Sequence, residues 1–490
     1  MNTGAPQPET ETETVVVWPS LEQARARVLG IQTKLHRWAT EDADRWFADL
    51  FNLVGDPAFL LVGWDRVKTN KGARTAGVDA QTAWEIGKRH GEARLLTELR
   101  ADLKAGRFRP LPVRERLIPK PDGRLRRLGI PTVRDRVVQA SLKLVLEPIF
   151  EAEFLPCSYG FRPGRSAHDA IADIHHSTRA QMGYDWVVEG DITACFDRID
   201  HAALLGRVRR RIQDKRVVTL VKAFCKAGIL TQDGAEHDTT TGTPQGGILS
   251  PLLANIALSV LDEHYARVWA ASTPKTRHTR RKRGGATWRL VRYADDFVLL
   301  VNGTRQHAEQ LTTEVAGVLA TMGLELSAAK TKIVHLDEGF DFLGFRIQRQ
   351  HKPGTSKRYV YTFPTKQALM SVKAKVRALT NGQRNRPLRA VLFQLAPILR
   401  GWATYFRHGV SSQTFSYLRH FTWRRVVCWL RRKHPHSSWR QLRRRFLPGW
   451  WPTDDDVVLY DVGKVTVSRY RYRGAKIPTP WTPAASTTRG

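Results

Sequence analysis

Tyr293-Ala294-Asp295-Asp296 stands between two apolar-rich runs, Trp288 to Arg292 and Phe297 to Val301. Both runs are short and rich in β-branched and aromatic residues, so the stretch predicts a β-hairpin with two carboxylates at or beside its turn. Neighbouring negative charges at the tip of an apolar hairpin repel one another and need either bulk water or a bound cation. By itself an Asp-Asp turn is most often a solvated turn, so other segments must decide between the two.

A second acidic strand end lies upstream. Trp186-Val187-Val188-Glu189-Gly190-Asp191-Ile192 is an apolar run that delivers Asp191 to a strand terminus, followed by Thr193-Ala194-Cys195-Phe196-Asp197. Strand ends present functional side chains to a cleft. Nucleotidyl transfer by two metals needs carboxylates from separate elements, so that the attacking and leaving oxygens are stabilised together, and Asp191 with Asp295 fits that division. An all-oxygen donor set suits magnesium, two ions here, better than zinc or copper.

Further segments stand in order around these two. Ile118 to Pro131 reads as a basic hairpin with Pro121-Asp122-Gly123 at its turn. Ser158-Tyr159-Gly160-Phe161-Arg162-Pro163-Gly164-Arg165-Ser166 precedes a helix that Ser166 can cap. Thr243-Pro244-Gln245-Gly246-Gly247 leads into an apolar helical run, Leu252 to Leu261, and Gly323 to Lys332 and Gly339 to Phe345 follow the acidic hairpin. Together they resemble a reverse transcriptase, and closely the reverse transcriptase and maturase encoded within group II introns, from about residue 50 to about residue 475.

The resemblance implies an α+β right-hand polymerase: fingers, a palm with an antiparallel sheet, a helical thumb, a helical N-terminal extension and a short basic C-terminal region. It assigns Asp191, Asp295 and Asp296 to catalysis and metal binding, and Lys330 to protonation of the pyrophosphate leaving group. Lys120 and Arg126 would face the incoming triphosphate. Arg127 stands where the family usually has proline, which leaves the choice between Arg126 and Arg127 open; a basic hairpin is also a common solvated edge. Phe196 occupies the place of the aromatic gate that collides with a 2′-hydroxyl, although a phenylalanine there also suits a core. Gln245 would meet the nucleotide or template, and Gly339 to Phe345 would grip the primer.

Downstream, Leu369, Val372, Val376 and Leu379 recur at helical spacing among Lys366, Lys373, Lys375 and Arg377, an amphipathic basic helix. Leu388, Val391, Leu392, Leu395, Ile398, Leu399, Trp402 and Tyr405 continue the pattern. Pro397 to Arg407 is similar to the thumb or maturase domain of that family, so Lys373, Lys375, Arg377, Arg400 and Arg407 are the expected contacts to intron RNA. The last stretch interleaves Trp423, Trp429, Trp439 and Phe446 with arginines, a pattern that stacks on bases while neutralising phosphates.

Lysine and arginine number 79 against 46 acidic residues, a net charge of +33 and a pI near 10.6. That excess implies a polyanionic partner held with salt-sensitive affinity. Cys157, Cys195, Cys225 and Cys428 form no Cys-x-x-Cys pair, which argues against a disulfide framework or zinc site and suits a reducing cytoplasm; the location expected with the family resemblance is a bacterial-type cytoplasm, associated with the nucleoid. The metal-binding endonuclease of some relatives is marked by cysteine pairs, and none follows Trp439. No apolar run approaches the ~20 residues needed to cross a bilayer, so no membrane partner is expected.

The expected organisation is a disordered segment over 1–20, an N-terminal extension over 21–100, fingers and palm over 101–350, a thumb over 359–435 and a basic DNA-binding region over 436–490. Lys275 to Arg283 reads as a mobile basic loop. The predicted function is RNA-directed DNA synthesis, with splicing assistance to a group II intron RNA and its copying into a DNA target during retrohoming, using dNTPs. The alternatives are a non-catalytic RNA-binding splicing factor and a reverse transcriptase of a retron or CRISPR-associated defence system.

Overall fold

The computed structural model describes residues 17–119, 123, 125–382 and 385–482. Lys120 and the first 16 residues of the expected disordered segment lie outside them. The palm is built on four antiparallel strands in the order β6-β7-β3-β8, with β3 Trp186–Gly190, β6 Thr287–Tyr293, β7 Asp296–Asn302 and β8 Lys332–His335. Alternation along the strands splits their side chains between two cores. Val187, Val291, Val298 and Leu300 enter one; Val188, Leu290, Phe297, Leu299 and Val301 enter the other.

The second of these faces is covered by helices Ser250–Ala270 and Arg305–Ala320, and its core continues through helix Val133–Glu151 to the N-terminal helices. Ser20 and Gln23 cap the first of those, Leu21–Glu41, reciprocally, and Ala24, Val28, Gln32, Leu35 and Ala39 mark its buried stripe. The other face packs on helix Ala167–Ser177 and joins the thumb core.

The fingers hairpin pairs β1 Val113–Pro119 with β2 Leu125–Ile130, and β1 also pairs in parallel with the short β4 Ile229–Leu230, which β5 Glu236–His237 borders. After the palm, β9 Phe340–Phe342, β10 Phe345–His351 and β11 Arg358–Pro364 form a separate sheet. The stretch between His351 and Arg358 is therefore the turn of a hairpin. Thr365 then caps the first thumb helix, Lys366–Asn381.

The thumb continues with Leu388–Phe406 and Ser412–Lys433. Leu388, Val391, Leu392, Leu395, Leu399, Ala403 and Phe406 line one buried stripe, each large apolar side chain there contributing roughly 1.5–3 kcal/mol relative to exposure. Among the described residues no helix is long and apolar enough to cross a membrane.

Two segments hold structure that their sequence patterns do not show. Pro274–Lys282 is helical rather than a loop: Thr273 caps it, proline opens it, and Arg277 and Arg280 lay their guanidinium groups over Trp269 and Trp288 at 4.0 and 4.9 Å. Stacking on the rings offsets part of the repulsion that the charge run suggested. The C-terminal segment runs back across the palm, where Arg473 pairs with Asp169 (Nη2 to Oδ2, 2.5 Å), Tyr472 stacks on His176, and Trp481 is buried beside Gln32 and His36 of the first helix. Those side chains of the expected DNA-binding region are thus spent on internal contacts.

Candidate active site

The acidic hairpin closes through the pair Tyr293↔Asp296, so Ala294 and Asp295 form a two-residue turn, with Ala294 in the left-handed region at φ 58°. This conformation is held from beneath. Arg292 is fully buried and forms a two-pronged ion pair with the equally buried Asp262 of helix Ser250–Ala270 (2.8 and 2.5 Å). Its remaining N–H groups donate to Asn255 Oδ1, Ser158 Oγ and the carbonyl of Ala294 in the turn, at 3.0, 2.8 and 3.0 Å. The Ser158-Tyr159-Gly160 segment lies alongside: Tyr159 N–H donates to Arg292 O at 2.8 Å. A Cβ on Gly160 would meet Ala294 N at 2.3 Å, so only glycine lets the segment lie under the turn.

The antiparallel register ends with Gly190 opposite Phe297, and Asp191, the next residue, lies close enough to Asp296 for their charges to interact. Ser327 N–H donates to Asp191 O (2.8 Å), and Lys330 Nζ lies 3.0 and 2.8 Å from the two carboxylate oxygens of Asp191. Asp295 and Asp296 both have raised pKa values. For Asp295 desolvation dominates, Arg126 opposes it and the charge of Asp191 adds to it. Asp296 is pushed up to about 6 by desolvation and then by Asp295 and Asp191, with Lys330 opposing. Solvent reaches the Asp296 side chain, which limits how far burial can hold it neutral.

Arg126 donates from Nε to Gln245 Oε1 at 2.9 Å, and Gln245 Nε2 donates to the Asp197 carboxylate at 3.0 and 3.2 Å. This bridge joins the fingers to the palm beside the aspartates. Arg127, on the alternate face of β2, pairs with Glu115 at 3.3 Å, so the geometry favours Arg126 as the cation facing the centre. Phe196 is 8% exposed, in the short helix after left-handed Ala194, and its carbonyl accepts from Thr243 N–H at 2.7 Å.

The thumb cations do not form one surface. Lys373 lies 4.8 Å over Tyr417 and 4.9 Å over Phe421, and Arg377 lies 5.4 Å over Phe421, so two residues of the third thumb helix join them. Lys375 points away from that face and is exposed. Arg400 lies over Tyr460 at 5.4 Å, while Arg407 is half-buried and its carbonyl accepts from Ser468. A cavity of about 1370 Å³ between helix Ala167–Ser177, the β10–β11 hairpin and the C-terminal segment is lined by none of the three aspartates.

The family of reverse transcriptases (RNA-dependent DNA polymerases) matches residues 118–347, and the group II intron maturase-specific domain matches 369–447. Protein YkfC of Escherichia coli K12 is 39% identical over 363 residues, which cover 69% of this chain and 93% of that protein. The chain belongs to the group II intron reverse transcriptase and maturase family. The group II intron-encoded protein LtrA of Lactococcus lactis is 32% identical over 377 residues, 67% of this chain and 61% of LtrA, so the match takes in about three fifths of that relative. Nuclear intron maturase 1 of Arabidopsis thaliana is 24% identical over 294 residues, 45% of this chain and 41% of that protein.

In this reverse transcriptase the donor set is suited to a hard divalent cation: carboxylates from two elements, two of them raised in pKa by desolvation first and then by the charge of Asp191, with Asp295 adding to the shift of Asp296. Among the described residues no group of three or more His, Cys, Asp or Glu side chains is arranged to hold a metal, and Asp191 is paired with Lys330 instead. The residues not singled out from sequence are Arg292, Asp262, Asn255 and Ser158 beneath the turn, Asp197 beside Gln245, and Tyr417 and Phe421 on the thumb. A signal existed for the first two: an arginine inside an apolar strand and a carboxylate inside an apolar helix each require a buried partner.

Proposed function

We propose that Asp191, Asp295 and Asp296 are the metal-binding carboxylates of this reverse transcriptase, and that it copies group II intron RNA into DNA at a target site while its thumb binds the intron and assists splicing. The observation that carries the reading is that Asp191, the residue next after β3, lies close enough to Asp295 and Asp296 at the hairpin tip for its charge to add to the desolvation that raises both their pKa values. Two magnesium ions held there would activate the primer 3′-hydroxyl and stabilise the charge that develops on the transferring phosphate.

The chain's own groups do the rest. Arg126, released from Gln245, neutralises the triphosphate and holds it in line. Lys330 leaves Asp191 and gives a proton to the departing pyrophosphate. Phe196 blocks the space of a 2′-hydroxyl, so deoxynucleotides are selected. Lys120, which lies outside the described residues, is proposed from family resemblance alone as a second cation for the triphosphate. On the thumb, Lys373 and Arg377 with Tyr417 and Phe421 present cations on aromatic faces to RNA, while Lys375, Arg400 and Arg407 extend the contact. Placement near the nucleoid in a bacterial-type cytoplasm follows from that use of target DNA.

The test pairs primer extension on RNA with intron-RNA binding. Asp295→Asn is expected to abolish extension and leave RNA affinity within about twofold; extension at the wild-type rate would overturn the assignment.

A further inference from the structure

Just past the maturase-specific match, Pro448-Gly449-Trp450-Trp451 makes a turn whose two central residues are both left-handed, Gly449 at φ 57° and Trp450 at φ 66°. Trp451 N–H donates to Pro448 O at 3.1 Å and closes it. Such turns favour glycine and asparagine, because a Cβ at positive φ crowds the backbone. Burial does not offset that strain: the Trp450 side chain is 49% exposed. The conformation is nonetheless held, since Trp423 Nε1 donates to Trp450 O at 2.8 Å and Trp450 N–H donates to Leu447 O at 3.0 Å.

The ring is also backed by a cation. Arg443 of helix Trp439–Phe446 lays its guanidinium 3.9 Å from the Trp450 ring centroid, and Trp439, one turn earlier and 41% exposed, stands 6.5 Å away at 43°. Arg440 and Arg444 on the same helix are exposed and form no ion pair among the described residues. A packed tryptophan would be buried, and a merely solvated turn would not carry a strained one. A flat aromatic face, supported by a guanidinium and bordered by free cations, matches a planar base attached to a phosphate. An acidic peptide would use the arginines and leave the indole idle.

We propose that Trp450, backed by Arg443 and flanked by Trp439, is a stacking platform for an unpaired nucleobase, with Arg440 and Arg444 taking the adjoining phosphates. The proposal rests on the nucleic-acid reading above and deepens it: Trp439, Arg440, Arg443 and Arg444 lie near the end of the maturase-specific match, and the platform residue, Trp450, follows its last residue, 447.

The test is fluorescence anisotropy with the full chain and three labelled single strands of equal phosphate number: oligouridylate, oligothymidylate and an abasic oligomer. Wild-type protein should bind at least one base-bearing strand about tenfold more tightly than the abasic one. Trp450→Gly relieves the strain, so it should lose that preference while its melting temperature stays level or rises. If Trp450→Gly keeps the preference, or if its melting temperature falls, the platform is refuted. Tighter binding of the RNA strand points to the intron as source, tighter binding of the DNA strand to primer or target. The measurement involves no catalysis, so its failure would leave the Asp295 assignment standing, and failure of that assignment would leave this one.

Discussion

Arg292 and Asp262, neither accessible to solvent, form a bidentate ion pair directly under the turn that presents Asp295, with Arg292 also bonded to the turn's own carbonyl at Ala294. The pair ties β6 to helix Ser250–Ala270 and makes the turn's conformation a property of the palm core. Removing one partner leaves a buried charge without compensation. Asp262→Asn is expected to lower stability by about 3–5 kcal/mol in urea unfolding. The double replacement Arg292→Met with Asp262→Leu should recover most of that stability without recovering primer extension, because the bond to Ala294 O is lost. Recovery of both would mean that the pair does not position the turn.

Asp296 offers a pH test. A carboxyl whose folded pKa lies near 6, above its unfolded value near 4, takes up its proton more readily when folded. Protonation therefore favours the fold: the stabilisation is complete below the unfolded pKa and is lost as pH rises through the folded one. Asp296→Asn should then be more stable than wild type at pH 7.5, by about 1 kcal/mol once solvent at this exposed carboxylate is allowed for. The difference should vanish toward pH 4. Melting temperatures across that range measure it, and a gap that widens on acidification would contradict the assigned direction.

Magnesium should act on the same groups. Added to the metal-free protein at pH 7.5, it is expected to raise the melting temperature, since a ligand bound only by the folded state stabilises it. The rise should shrink in Asp295→Asn and Asp296→Asn. An equal rise in wild type and both variants would place the ions elsewhere.

The sugar gate is read directly from substrate choice. Phe196→Val should admit ribonucleotides, raising their incorporation relative to deoxynucleotides by about tenfold or more, a shift of roughly 1.4 kcal/mol in discrimination. Because Phe196 is buried, a melting curve must accompany the assay; a loss of stability with unchanged sugar selectivity would assign the ring to the core.

The C-terminal segment predicts a stability effect from a residue far from the catalytic hairpin. Trp481 is 5% exposed against the first helix, so Trp481→Ala should cost about 3–5 kcal/mol. Arg473→Met should likewise destabilise by leaving Asp169 without its guanidinium partner. If both variants melt as wild type does, the segment is not part of the folded core.

The local elements are legible in the residues themselves. The short β-branched and aromatic runs on either side of Asp295 specify a hairpin, and their unbroken apolar character specifies strands buried on both faces. The stripe from Leu388 to Tyr405 specifies a thumb helix through the helical repeat. Tertiary structure alone decides which distant groups meet. Asp262 is the partner of Arg292 across 30 residues, Gln245 the partner of Arg126 across 119, and Asp169 the partner of Arg473 across 304. It also binds the C-terminal segment to the palm. Periodicity records which side of an element faces a core; the partner of a buried charge depends on where the whole fold brings that core together, and no local pattern carries that information.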